Sequence, residues 1–384
     1  VNRIIIFATI LCLLAVSFVA TVFFWSRHYL ASAQSSDTES VVFEIRSGES
    51  FKSVAQRLEA SGLVDNARAF EISARLSGES TVMRVGEYSL KKSATPQEML
   101  AVLSSGRSLE YPIVIREGFN RFEIAEIVEK AGIASRQEFL KLTLDRSFIR
   151  EVTGQDLPSL EGYLFPETYR VTKFTGVKAF IKMMIDRFKE NISQIKPATS
   201  IQLSQHELVT LASIIEKETG APEERPVISS VFHNRLRLRM RLQTDPTVIY
   251  GIWEQQGEWN RNLTRADLLT PTRYNTYTAQ GLPYGPIANP GLLALQAAAA
   301  PAESEFLFFV SRNDGTHVFS RDYSDHKNAV QQFQIDRKAR EGKSWRDLSR
   351  RAETPEKVAD SAPRRDQRSP RAKSRASSKN AERH

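Results

Sequence analysis

The sequence predicts an α+β protein of two modules, set behind an N-terminal transmembrane helix and ahead of a disordered basic tail. Three observations carry this expectation. Ile4 to Trp25 is a run of 22 residues without a charge, and about 20 apolar residues cross a bilayer. β-Branched alternation gives way to helical spacing twice, once from Val41 and again from Leu109. Residues 341–384 carry 13 Lys and Arg against 7 Asp and Glu, are rich in Ser and Ala, and hold little that could form a core.

Composition narrows the function classes. The chain has 384 residues, 41% hydrophobic and 26% charged, which places it in the globular range and excludes a wholly disordered or fibrous protein. Its net charge of +8 comes mostly from the tail, so the body is nearly neutral. A tail exported with that body does not meet nucleic acid, and no nucleic-acid partner is expected. Cys12, inside the apolar run, is the only cysteine, so neither an intrachain disulfide nor a cysteine metal cage can form. The six histidines contain no HExxH and no two share a helical turn. There is no P-loop and no GxSxG elbow. No metal and no cofactor are expected.

The elements follow in order. Residues 1–3 read as a cytoplasmic stub, 4–25 as the transmembrane helix and 26–40 as a linker. The apolar run exceeds the 7–15 residues of a signal-peptide core, and Ala31-Ser32-Ala33, which reads like a cleavage site, lies well beyond its end. An uncleaved single-pass anchor is expected, with the bulk of the chain outside the cytoplasm. In the first module, residues 41–106, Val41–Ile45 is a strand. Phe51, Val54, Ala55 and Leu58 then have helical spacing, and Ala67–Leu76 is a second helix. Arg84–Leu90 is a strand, and Met99–Leu103 a helix capped by Thr95. The second module, residues 107–340, opens with a strand at Tyr111–Ile115 and helices at Phe122–Lys130 and Arg136–Leu144. An aromatic segment, Glu161–Tyr169, leads to long helices at about 177–196, 205–219 and 222–238. Gly281–Pro290 is irregular, and Phe306–Ser311 is a strand.

Carboxylates, amides and aromatics remain as the chemical kit, and they suit carbohydrate. On the helix Leu208–Thr219, at 100° per residue, Leu208, Leu211, Ala212 and Ile215 define one apolar face. Glu216 and Glu218 border it on opposite sides and cannot share one small site. A carboxyl held against apolar neighbours has a raised pKa and can stay protonated near neutral pH to donate to a glycosidic oxygen. A helix-end glutamate paired with a cation is the other reading, and spacing does not choose between Glu216 and Glu218. Asn234, Arg235, Gln243, Asp245, Tyr250, Asn275 and Tyr277 interleave polar groups with tyrosines among Gly/Pro loops. Such residues bind sugar hydroxyls and cover ring faces. They also occur as capping amides and buried tyrosines.

At these residues the chain resembles a known family. Ala212-Ser213-Ile214-Ile215-Glu216-Lys217-Glu218-Thr219, Arg241–Gly251 (RLQTDPTVIYG), Tyr274-Asn275-Thr276-Tyr277 and Gly281-Leu282-Pro283 occur in the order found in the YceG-like proteins, the endolytic murein transglycosylase family. The resemblance covers about residues 41–333. Gly48-Glu49-Ser50-Phe51 and Val54-Ala55 sit where a LysM glycan-binding module has its turn and apolar pair, so 41–106 resembles a LysM-like module; a structural spacer is the other reading. The resemblance implies an inner-membrane lyase that cuts nascent peptidoglycan within its glycan strands, beside penicillin-binding proteins and other wall-synthesis proteins. It places the catalytic acid/base on Glu218, with Glu216 in support. One carboxyl protonates the leaving oxygen and then deprotonates the 6-hydroxyl of N-acetylmuramic acid, which closes on C1. If Glu161 or Glu167 folds beside Glu218, a muramidase-type hydrolysis needing two carboxyls becomes open. A non-catalytic wall-binding scaffold is the alternative of another class.

Overall fold

The computed structural model describes residues 2–78, 82–196, 198, 201–259 and 262–336; the tail expected at 341–384 lies outside them. The chain begins with α1 (Asn2–Ala31), then β1 (Ser40–Ile45), α2 (Phe51–Ala60), α3 (Ala67–Leu76), β2 (Gly86–Lys91) and α4 (Pro96–Ser105). β1 and β2 pair antiparallel with Phe43 opposite Tyr88. Local chemistry sets the helix starts. Asn66 accepts from the Ala69 amide ahead of α3, and Thr95 and Glu98 form a capping box at α4. Gly106, at φ 73°, ends α4 in the left-handed region. A core of its own forms around Phe43, Leu58, Phe70, Tyr88, Met99 and Leu103.

The linker expected at 26–40 is only partly a linker. α1 runs past the apolar segment to Ala31, and Ser26 and Leu30 are buried against this module. Their i,i+4 spacing puts a small and an apolar residue on one face of the helix, and that face meets α3.

Beyond it come β3 (Tyr111–Val114), α5 (Arg121–Lys130), α6 (Arg136–Leu142), α7 (Arg146–Thr153), β4 (Thr168–Val171) and α8 (Val177–Ile192). α9 (Gln205–Glu218), α10 (Arg225–Arg237), α11 (Asp245–Gln256), α12 (Arg265–Leu269) and α13 (Leu292–Ala299) follow, then β5 (Phe308–Ser311), β6 (His317–Ser320) and α14 (Tyr323–Val330). β3 pairs antiparallel with β4, and β5 with β6. Sheet is scarce, so helices supply most of the core. α9 is its axis: every residue from Leu208 to Ile215 is buried, with α10, α11 and α13 packed around it. The single apolar face expected of this helix understates its burial, because Thr210 and Ser213 close their hydroxyls onto the carbonyls of His206 and Thr210 and so tolerate the interior. α11 replaces a stretch that reads as loop in sequence, with Pro246 in its first turn where the missing N–H costs nothing.

Candidate active site

Glu218 is the last residue of α9, and Thr219 leaves the helix in extended backbone (φ −142°, ψ 140°). The side chain is half-buried and lines a cavity of about 470 Å³. The connection between α10 and α11 supplies one wall, with Gln243 and Thr244; α11 adds Asp245, and α10 adds Phe232 and Arg235. Tyr277, Phe308, Tyr323 and His326 close the rest. Gln243 has a left-handed backbone (φ 49°), a conformation that costs a non-glycine residue about 1–2 kcal/mol. The surrounding bonds hold it there: the Gln243 amide donates to the Thr276 carbonyl (3.3 Å) and the Thr244 amide to the Thr276 hydroxyl (3.1 Å).

That loop aims the Thr244 hydroxyl at Glu218, to which it donates. Burial pushes the Glu218 carboxyl up to about 7; the Thr244 bond pulls it down, the Asp245 charge adds to the rise and the Arg235 charge opposes it. Arg235 is itself buried, its Nε on the Leu307 carbonyl (2.7 Å) and its Nη1 on the Leu242 carbonyl (2.7 Å). Asp245 accepts from the Tyr277 hydroxyl at 2.6 Å. The arrangement is an acid near neutrality, one fixed cation and aromatic faces, opening on solvent.

The residues singled out in sequence divide into two sets. Glu218, Arg235, Gln243, Asp245 and Tyr277 converge on the cavity. Six others do not line it, and each is occupied elsewhere. Glu216 pairs with Arg225 (3.0 Å) and accepts from the Gly291 amide (3.0 Å). Asn234 donates to the carbonyls of Ser304 and Phe306, and Asn275 to those of Thr270 and Leu268. Glu167 lies on the surface against Arg187 (2.6 Å). Glu161 is wholly buried and accepts from the Arg121 amide, the Tyr250 hydroxyl (2.8 Å) and the Asn289 side chain (2.9 Å). Tyr250 is thereby spent on Glu161. Neither Glu161 nor Glu167 stands beside Glu218: the buried Glu161 is taken up by its donors, and the surface Glu167 by Arg187. Asn289 also takes the Leu164 amide on its Oδ1 (2.9 Å), and its main chain exchanges bonds with Gly118 and Phe119.

Thr244, Phe232, Phe308, Tyr323 and His326 were not anticipated. Thr244 had a signal, a hydroxyl beside Asp245 in a block already noticed. Phe308, Tyr323 and His326 had none, since they arrive from 90 or more positions away by folding, and Phe232, one helix on, reads as an ordinary core residue.

Residues 43–332 match the YceG-like family model. Over 328 residues the chain is 29% identical to an endolytic murein transglycosylase of Bacillus subtilis, covering 81% of this chain and 89% of that protein. The endolytic murein transglycosylase of Streptococcus pneumoniae serotype 2 is also 29% identical, over 76% of this chain, which spans 58% of that longer protein. A crystal structure of a YceG-like protein from Listeria monocytogenes is 29% identical, covers 76% of this chain and 99% of its own, and superimposes with a TM-score of 0.49. The matched segment takes in every residue lining the Glu218 cavity, and the chain belongs to the YceG-like family.

Proposed function

We propose that this chain is a peptidoglycan lytic transglycosylase, anchored in the inner membrane by α1, that cuts within glycan strands with Glu218 as its acid/base. The reaction class rests on the relatives, which are named endolytic murein transglycosylases. The assignment of Glu218 rests on one observation: a carboxyl held near pKa 7 at the wall of an open cavity. In its protonated form Glu218 donates to the oxygen between N-acetylmuramic acid and N-acetylglucosamine, and the C1–O bond breaks. The resulting carboxylate takes the proton of the 6-hydroxyl, whose oxygen bonds to C1 and leaves a 1,6-anhydro end. No water is consumed and Glu218 ends protonated. Each half needs a different charge state, and the opposed influences on Glu218 keep both within reach: burial and Asp245 favour the acid, Arg235 and Thr244 the carboxylate.

Tyr277, Phe308 and Tyr323 offer faces to sugar rings. We assign residues 41–106 as a LysM-like glycan contact and 107–340 as the catalytic domain, with penicillin-binding proteins as expected neighbours and glycan length as the property set. Asp245 favours one rival reading, because a second carboxylate in the cavity suits a muramidase-type hydrolysis. Incubating the full-length protein and Glu218→Gln with purified peptidoglycan, with products read by mass spectrometry, separates them. Anhydro ends from the natural chain alone support the lyase; reducing ends mean hydrolysis. Binding without any cut, by a protein shown to be folded, means a scaffold.

A further inference from the structure

The junction of α1 with the first module has a geometry that the anchor alone does not require. The Ser26 hydroxyl donates to the Ser73 carbonyl (3.5 Å), and the Tyr29 hydroxyl to the Asn66 carbonyl (3.2 Å). Later residues of α1 therefore meet earlier residues around α3, and the two helices run antiparallel. α3 thus points back toward the apolar run. Leu76 lies three residues beyond Ser73, about 4.5 Å lower at 1.5 Å per residue, level with Phe23.

Helix length turns this into a membrane argument. From Ile4 to Val19 every side chain of α1 is exposed, and that stretch is about 24 Å long. A hydrocarbon core is about 30 Å thick. The missing 6 Å or so must come from residues after Val19, where Ala20 and Val22 are already half-buried. At that level α3 presents Leu76, 46% exposed, with Ile72, 49% exposed, one helical turn (about 6 Å) closer to the headgroups. Arg27, on α1, is exposed, and Arg75, on α3, is exposed and paired with Glu71 at 2.6 Å; Trp25 stacks on Tyr29 at 5.8 Å. Apolar side chains at the acyl boundary, aromatic rings and arginines at headgroup level form the pattern of an anionic lipid interface.

We propose that the C-terminal end of α3, through Ile72 and Leu76, is a second membrane contact seated at the headgroup–acyl boundary of an anionic phospholipid bilayer. The inference rests on α1 being a membrane anchor. It fixes the tilt of the first module against the bilayer, which a single helix joined by a free linker does not.

Three single-cysteine forms of the full-length protein test it: the natural chain with Cys12, and Leu76→Cys and Asp65→Cys, each with Cys12→Ser. Each is labelled with an environment-sensitive fluorophore and reconstituted in vesicles of phosphatidylcholine with a minority of phosphatidylglycerol. The vesicles also carry nitroxide lipids, either shallow or deep. The label at 76 is expected to be quenched by the shallow nitroxide about twofold more than the label at 65, while the label at Cys12 responds to the deep one. Quenching at Cys12 with equal responses at 76 and 65 would overturn the second contact and leave the anchor standing. No quenching at Cys12 would remove the anchor, and the second contact with it.

Discussion

Glu161 and Glu218 are two carboxyls that burial pushes up to about 7, and their surroundings differ in kind. Glu161 is closed in: the Arg121 amide, the Tyr250 hydroxyl and the Asn289 amide all donate to it, and the Arg121 guanidinium lies 3.9 Å away. Glu218 is half-buried, takes the Thr244 hydroxyl and faces a cavity large enough for a sugar. A raised pKa therefore does not mark a working acid by itself. What separates the two is unspent hydrogen-bonding capacity and a path to the outside; the first carboxyl holds the fold and the second is free to exchange a proton.

The comparison can be broken at either side. Glu218→Gln is expected to lower glycan cleavage by about 10²–10⁴ while leaving the unfolding midpoint unchanged or higher; mass-spectrometric product counts and thermal melts report both. Retained cutting by this variant would sink the assignment. Glu161→Ala strands the buried Arg121 charge, the Tyr250 hydroxyl and the Asn289 amide. It should cost about 3–5 kcal/mol in denaturant unfolding of the full chain, and a loss below about 1 kcal/mol would mean that the network relaxes. Gly162, next along, has φ +85°, and a Cβ there would stand 2.5 Å from Pro286 Cβ and 2.8 Å from Val209 Cγ1. Gly162→Ala should therefore destabilise by about 2–3 kcal/mol.

pH sharpens the contrast. The folded pKa of Glu218 is raised above its ordinary value of 4.5 to about 7. The stability linked to its protonated form is complete below about 4.5 and is lost as pH rises through about 7. Natural protein and Glu218→Gln should thus melt alike near pH 4, with the variant gaining ground through pH 7. Cleavage by the natural chain should fall about tenfold per pH unit above 7. A flat rate from pH 6 to about 9 would place proton donation on another group. The smallest effect belongs to the first module: Thr95→Ala removes one half of the α4 capping box and should cost about 1 kcal/mol, seen as a modest fall in midpoint with cleavage retained.

How far the sequence could be read varies with the range of the interactions. α3 was legible to its end residues because Asn66 caps it and Phe70 and Ala74 repeat at helical spacing, all local facts. Arg235, Gln243, Asp245 and Tyr277 could be named as candidates because their blocks are compact. Their meeting with Glu218 could not, since Tyr277 lies 59 positions away along the chain. Spacing set Glu216 and Glu218 on opposite borders of α9, and the structure keeps them apart, one on Arg225 and one on Thr244. Asn275 caps the last carbonyls of α12, a reading open from the start, while Asn234 holds the backbone of the loop before β5. β5 was legible as a strand at Phe306–Ser311, but nothing local placed it or α14 at the Glu218 cavity.

Asn289 sets a condition on when the site can exist. It joins Gly118 and Phe119 at the entrance to α5, Leu164, and Glu161, while two positions on the Gly291 amide rests on Glu216. The partners lie about 170 positions apart in the chain, and contacts of such separation form late because loop closure must be met before they reward it. The last turn of α9, where Glu216 accepts from the Gly291 amide, cannot be fixed until the segment around Asn289, more than 70 positions further along, has folded back onto it. The wall that carries Glu218 is then among the last parts of this body to take its final form.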